Sequence, residues 1–147
     1  MCEGRREATQ LLNTLANEPA NLAALGYEWA DLSPFFDRPG NLAIGDERGV
    51  ALFAEISPGV YEGHYLFSST VRGPEALQIA REMVSRLFTL RDAKAIVGHT
   101  PAENRPARLF SNALGFTRLG VSVNQDGRSC VDFRLERSQW EALSAEP

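Results

Sequence analysis

The segment that says most about the fold lies near the end of the chain and reads Asn104-Arg105-Pro106-Ala107-Arg108-Leu109-Phe110-Ser111-Asn112-Ala113-Leu114-Gly115-Phe116. Residues 102–113 have the composition of a helix, and Thr100 and Pro101 are expected to break the structure before it. Gly115 follows the last apolar pair, where a helix favours a residue that adopts a left-handed conformation. The segment therefore predicts an amphipathic helix that ends at a glycine cap.

The side chains of this helix predict one buried face and one polar face. Arg105 and Arg108 are three residues apart, so they can meet a phosphate together or simply face water. On its own, this pattern also fits an ordinary surface helix. The apolar positions that recur at helical spacing and are predicted to be buried are Leu109, Phe110, Ala113 and Leu114.

Hydrophobic periodicity gives the order of the other elements. Residues 73–90 repeat apolar side chains at helical spacing, and the predicted strand 95–98 follows them. Together with strand 60–67 they make a parallel βαβ unit. The fold class is therefore α+β, with a mixed, mostly antiparallel central sheet flanked by helices. The remaining predictions are helical segments at 7–15 and 21–25, strands at 41–45, 49–56, 116–121 and 130–135, and a turn at 124–127.

Length and composition limit the classes of protein that fit. A chain of 147 residues suits one domain, 1–147, with a core at about 41–135. No apolar run approaches the roughly 20 residues that span a bilayer, so no membrane association is expected. Cys2 and Cys130 give no disulfide framework, which favours a reducing, cytoplasmic compartment. The net charge of −4 makes nucleic acid an unlikely partner.

The helix resembles the pantetheine-binding helix of the GCN5-related N-acetyltransferases. In that family an Asn is followed after two residues by Ala, then by a Tyr, and then by Leu-Gly-Phe. Asn104, Ala107 and residues 114–116 fall on this spacing. Ser111 occupies the place of the Tyr, whose hydroxyl usually protonates the coenzyme thiolate, and a Ser hydroxyl is a much weaker acid. Either another group takes over this role, or catalysis is slow or absent.

The turn before helix 73–90 resembles the family's pyrophosphate loop. Arg72 and Gly73 match its start, whereas Glu75 and Leu77 stand where the family prefers glycine or alanine. Backbone N–H groups at a helix start favour an anion, although a Gly-Pro-Glu helix start is common in other proteins. The resemblance implies acetyl-CoA as cosubstrate and no metal. The residues it implies for coenzyme binding are Leu66, Phe67, Arg72, Gly73, Glu75, Ala76, Asn104, Ala107 and Arg108.

Strand 60–67 carries two ionisable side chains on one face. Alternation places Glu62 and His64 together and sends Tyr61 and Tyr65 to the other face. Acyl transfer to an amine needs a base, because an amine is protonated near neutral pH. In the family this base is often a carboxylate on this strand. Glu62 and His64 are therefore the candidates for base work, and Ser111 completes the catalytic set. Alternatively, both side chains are partly solvated strand residues beside a cleft and have no catalytic role.

The sequence thus predicts an acetyl-CoA-dependent N-acetyltransferase that acts on an amine of a small molecule or protein. The alternative is a catalytically weak or inactive binding or phage-associated module that keeps the fold. Residues 58–64, together with Arg72 and Gly73, also look like a branch of the family common in phage and prophage genomes. A homodimer is left open. The acceptor cannot be read, because in this fold it contacts variable segments.

Overall fold

The computed structural model describes residues 2–19, 21, 31, 33–71 and 73–145. Of the predicted segment 21–25, only Asn21 is among the described residues, and Arg72 lies outside them. The elements in chain order are α1 (Cys2–Ala16), a 3₁₀ helix (Ser33–Asp37), β1 (Leu42–Asp46), β2 (Gly49–Ser57), β3 (Val60–Phe67), α2 (Pro74–Leu90), β4 (Ala95–Pro101), α3 (Arg105–Ala113), β5 (Thr117–Val123), β6 (Ser129–Glu136) and α4 (Arg137–Ala145).

One mixed sheet of six strands organises the chain, in the order β1-β2-β3-β4-β6-β5. Strands β3 and β4 are parallel and are joined through α2, which confirms the predicted βαβ unit. The pairs β1–β2, β4–β6 and β5–β6 are antiparallel. The predicted fold class is therefore confirmed. Within the described residues, no helix is both long and apolar enough to cross a bilayer.

The chain divides into two compact units that alternate along the sequence. The first comprises Met1–Ala54 and His64–Met83, and the second Glu55–Gly63 and Val84–Pro147. In the first, α1 packs its apolar side against β2 and the end of β3. The buried residues of this cluster are Leu12, Leu15, Ala16, Val50, Leu52 and Leu66.

Helix α2 follows its predicted pattern. Pro74 is its first residue, where the missing N–H costs no hydrogen bond. The apolar side chains that recur at helical spacing in this segment are all buried: Ala76, Ile79, Ala80, Met83, Val84, Leu87 and Phe88. Helical spacing therefore identified the buried face correctly.

One prediction around α3 is wrong, and another holds only in part. Thr100 and Pro101 do not break the structure: they extend β4, because they pair with Val131 and Cys130 of β6, and α3 begins only at Arg105. Furthermore, of the four apolar residues predicted to be buried, only Leu114, which follows α3, is buried. Phe110 is half-buried, whereas Leu109 and Ala113 are exposed. Periodicity shows which side chains share a face, but it does not show whether another element covers that face.

The C-terminal helix α4 was not predicted from the sequence. Arg137 begins it and donates hydrogen bonds to the carbonyl oxygens of Phe88, Arg91 and Ala93 at 2.7, 3.1 and 2.7 Å. Trp140 stacks on Phe88 with ring centroids 4.9 Å apart. These contacts with distant residues hold α4 in place.

Gly115 ends α3 as predicted, with φ +99°. The N–H of Gly115 donates to Asn112 O and that of Phe116 to Ser111 O. We expect Gly115→Ala to lower the free energy of unfolding by about 1–2 kcal/mol, because alanine is strained at positive φ. A Cβ would also lie 2.6 Å from Cδ1 of Leu143. Urea denaturation measures the change.

Gly127→Ala is the matched control for this prediction. Gly127 has φ +78°, and a Cβ there would meet nothing within 4 Å, so the control isolates the conformational strain. Gly115→Ala should cost at least as much stability as Gly127→Ala. A Gly115→Ala protein as stable as the wild type would contradict the assigned cap.

Candidate functional site

Asn104 sits at the start of α3 and caps it. Its Oδ1 accepts a hydrogen bond from the N–H of Ala107 at 3.2 Å, and its backbone N–H donates to Pro101 O at 2.9 Å. The cap uses one lone pair of Oδ1, and the Nδ2 group is the part of the side chain that can donate to a ligand. Capping is therefore compatible with the predicted role of Asn104 as both a donor and an acceptor toward a ligand.

Two further residues of α3 have roles implied by the resemblance. The Nε atom of Arg108 is buried and has no hydrogen-bond partner among the residues that the structure describes. A buried donor of this kind costs free energy unless a ligand or solvent satisfies it. Ser111 is half-buried, and its backbone carbonyl accepts the N–H of Phe116 that closes the helix.

The turn before α2 lies in the first unit. Gly73 has φ +57°, and a Cβ there would meet nothing within 4 Å, so the surface beside it is open. Glu75 is exposed and Ala76 is buried. The N–H groups of Glu75 and Ala76 belong to the first turn of α2, where a helix provides no acceptor of its own. This turn can therefore receive an anion.

The end of β3 also belongs to the first unit. Leu66 is buried, and the carbonyl of Phe67 accepts a hydrogen bond from Asn21 Nδ2 at 2.8 Å. His64 is exposed. The ring of Tyr65 packs edge-on against Phe53 at 6.1 Å, and burial raises the pKa of its hydroxyl. A hydroxyl with a raised pKa is a poor substitute for the missing acid at position 111.

Glu62 lies in the second unit, whereas His64 lies in the first. Glu62 is half-buried and is the register partner of Val97 on β4. Register partners point their side chains to the same face of a sheet, as do residues two apart on one strand. His99 lies two residues beyond Val97, so Glu62 and His99 share a face.

His99 belongs to a cluster of three polar side chains. Its Nδ1 lies 2.6 Å from Oδ1 of Asp132, its register partner on β6, and Ser122 Oγ donates to the same Oδ1 at 2.8 Å. Burial tends to raise the pKa of Asp132, but the hydrogen bonds from His99 and Ser122 outweigh it and lower the pKa below its usual value. Sequence reasoning missed this cluster, because its members meet only through the pairing of three strands.

Solved structures of acetyltransferases superpose on this chain. No protein-family model matches the sequence, and no curated protein sequence matches it significantly. The aminoglycoside acetyltransferase AAC(6')-Ib in complex with coenzyme A superposes with a TM-score of 0.76 at 18% identity, over 95% of each chain. A chimera of the spermidine N-acetyltransferase SpeG from Vibrio cholerae and hSSAT gives 0.72 at 17% identity, over 93% of this chain and 95% of that one.

A second structure of AAC(6')-Ib, with coenzyme A and kanamycin, gives a TM-score of 0.75 at 18% identity over 95% of each chain. These neighbours are acetyltransferases, and each superposition covers 93–95% of this chain. The likeness shows that the chain has the GCN5-related N-acetyltransferase fold.

Proposed function

We propose that this protein is an acetyl-CoA-dependent N-acetyltransferase that moves the acetyl group to an amine of a small molecule or protein. The observation that carries the proposal is α3, which is capped by Asn104 and stopped by Gly115 directly after β4 of the βαβ unit. The fold supports the same function, because neighbours that share it carry coenzyme A and kanamycin or are named for spermidine.

Each unit, taken by itself, has described residues that would suit one part of the coenzyme. In the first unit, the open surface beside Gly73 and the N–H groups of Glu75 and Ala76 would receive the pyrophosphate. In the second unit, Nδ2 of Asn104 would donate to an amide carbonyl of the pantetheine arm. The unsatisfied Nε of Arg108 offers a further donor. Leu66, Phe67, Arg72 and Ala107 remain in the proposed binding set.

Bound acetyl-CoA supplies an acetyl group activated as a thioester. Glu62 is the proposed base that takes the proton from the incoming ammonium, with His64 as the second candidate on its strand. Ser111 favours the alternative function, a catalytically weak module, because a Ser hydroxyl does not replace the acid of a Tyr. Membership of the phage-associated branch that residues 58–64 resemble stays a prediction, and the homodimer stays open.

A screen for thiol release tests the proposed function. The protein is incubated with acetyl-CoA and, in turn, with aminoglycosides, polyamines, amino acids and peptides. We expect at least one amine to raise the rate of thiol release well above hydrolysis and to give an acetylated product by mass spectrometry. Coenzyme binding without transfer to any of these amines would favour the alternative function, a catalytically weak module.

The role of Asn104 is tested with two variants. Asn104→Ala should raise the Kd for acetyl-CoA about tenfold, because it loses the Nδ2 donor. It also loses the helix cap, at about 1 kcal/mol of stability. Asn104→Ser keeps a cap oxygen but removes the Nδ2 donor, and its shorter hydroxyl does not reach the same position, so it should weaken binding by a similar factor while staying as stable as the wild type. Calorimetric titration and urea denaturation measure the two effects.

The two variants separate a ligand contact from a structural cap. If Asn104→Ser binds acetyl-CoA as tightly as the wild type, the side chain is a helix cap and nothing more.

A further inference from the structure

The cluster around His99 has the arrangement of an oriented proton carrier. An ionised Asp132 carboxylate can only accept hydrogen bonds, so Nδ1 of His99 and Oγ of Ser122 must both donate to it. The neutral imidazole then keeps its proton on Nδ1 and presents Nε2 as an acceptor. No described residue bonds to Nε2, and the His99 side chain is 44% exposed. The ring is therefore fixed at one nitrogen and accessible to a ligand at the other.

The sheet register places this ring near the proposed base. Glu62 and His99 share a face on adjacent parallel strands, and His99 is offset by two residues from the partner of Glu62. Two residues of strand span about 6.6 Å and paired strands lie about 4.8 Å apart. Glu62–Val97 is the last pair of β3 with β4, so a straight continuation of β4 to His99 puts the two backbone positions roughly 8 Å apart. Both side chains can thus reach one amine. Strand β4, which carries His99, also leads directly into Asn104 and α3.

Transfer of an acetyl group to an ammonium requires two proton movements. One proton must leave before the nitrogen can attack, and a second must leave the nitrogen while the departing sulfur gains one. Ser111 is a poor donor for that sulfur, and the hydroxyl of Tyr65 is buried. The second movement therefore needs a group that both accepts and donates a proton near neutral pH, which is the usual property of an imidazole.

We propose that His99, oriented by Asp132 and Ser122, carries this second proton and so replaces the acid missing at Ser111. This inference rests on the proposed function. The ammonium loses one proton to Glu62, which passes it to solvent. The nitrogen then bonds to the acetyl carbonyl carbon while the carbon–sulfur bond breaks. Nε2 of His99 takes the second proton from the nitrogen and returns it to the sulfur, which gives the acetylated amine, the thiol and one released proton.

A simpler role for the cluster is purely structural. A polar pair opposite each other on neighbouring strands stabilises a sheet by a few tenths of a kcal/mol to about 1 kcal/mol. That role requires no accessible Nε2 and predicts no rescue by a free imidazole. These two differences decide between the roles.

The first test uses His99→Ala and an amine accepted in the thiol-release screen. We expect kcat to fall about 10²-fold, with the Kd for acetyl-CoA unchanged within about twofold. Added imidazole should restore at least about a tenth of the lost rate in His99→Ala and should not accelerate the wild type. A His99→Ala protein that keeps the wild-type kcat, or one that imidazole cannot rescue, would overturn the proposal.

The positioning role of Asp132 is tested with Asp132→Asn, which we expect to lower kcat about tenfold without changing the Kd for acetyl-CoA. The matched control is Asp46→Asn, because Asp46 also holds a basic side chain, Arg48, and its pKa is likewise lowered by that partner. Asp46→Asn should leave kcat unchanged. Equal kcat values for Asp132→Asn and Asp46→Asn would remove Asp132 from the proposal.

Nitrogen-15 NMR of the imidazole gives a readout that does not depend on activity. In the wild type the neutral His99 ring should carry its proton on Nδ1, and in Asp132→Asn this preference should weaken. A neutral ring protonated on Nε2 would overturn the proposal. Absence of transfer by the wild type to every amine tested is a different result, because it contradicts the proposed function itself.

Discussion

Glu62→Gln should lower kcat for acetyl transfer by about 10² to 10⁴, while the Kd for acetyl-CoA stays close to that of the wild type. Glutamine keeps the size and the hydrogen-bonding shape of the side chain but cannot take a proton from an ammonium. Glu62 is half-buried in the segment of β3 that pairs with β4, so the substitution keeps its packing. Steady-state thiol release and calorimetric titration measure the two quantities.

Glu55→Gln is the control for this prediction. Glu55 is an exposed carboxylate on β2 in the same compact unit, and it has no part in the proposed chemistry. Its kcat should match that of the wild type. If Glu62→Gln retains more than about a tenth of the wild-type kcat, Glu62 is not the base, and His64 becomes the candidate on that strand.

Arg137→Ala should lower the free energy of unfolding by about 2–3 kcal/mol. The guanidinium donates to three carbonyl oxygens at the end of α2 and just beyond it, and it lies 5.4 Å from the centroid of the Phe88 ring. Alanine leaves these carbonyls without their charged donor, and each lost charge-assisted hydrogen bond costs about 1 kcal/mol or more. Urea denaturation at neutral pH measures the loss.

Arg137→Lys serves as the comparison. Lysine keeps the positive charge near the end of α2 but cannot reach three acceptors with one planar group, so we expect about half of the loss. A stability change below 0.5 kcal/mol for Arg137→Ala would show that α4 is held without its guanidinium.

The sequence predicted the parts of the fold that local periodicity determines. Helix α2 shows this best, since its buried side chains repeat at helical spacing from Ala76 to Phe88. The α3 segment shows what periodicity does not predict. The start of the helix depends on the pairing of Thr100 and Pro101 with β6, and no other described element covers most of the apolar face of the helix. Helix α4 was missed because Arg137 and Trp140 act through residues about 50 positions earlier.

The candidate site likewise has residues that short motifs predicted and residues that only the strand pairing brings together. Asn104 and Gly73 were identified from short motifs, and the structure supplies a cap at one and an open, positive-φ turn at the other. The His99 cluster carries no motif, because Asp132 is 33 residues and Ser122 is 23 residues away along the chain. Only the register of β4, β5 and β6 brings the three side chains together.

Calorimetric titration of the wild-type protein with acetyl-CoA tests the central claim most directly. The account predicts saturable binding of one acetyl-CoA per chain, weakened about tenfold in Asn104→Ser, whose helix cap is intact. Absence of any heat or thermal shift at millimolar acetyl-CoA would contradict the proposed coenzyme site, and with it the proposed N-acetyltransferase function.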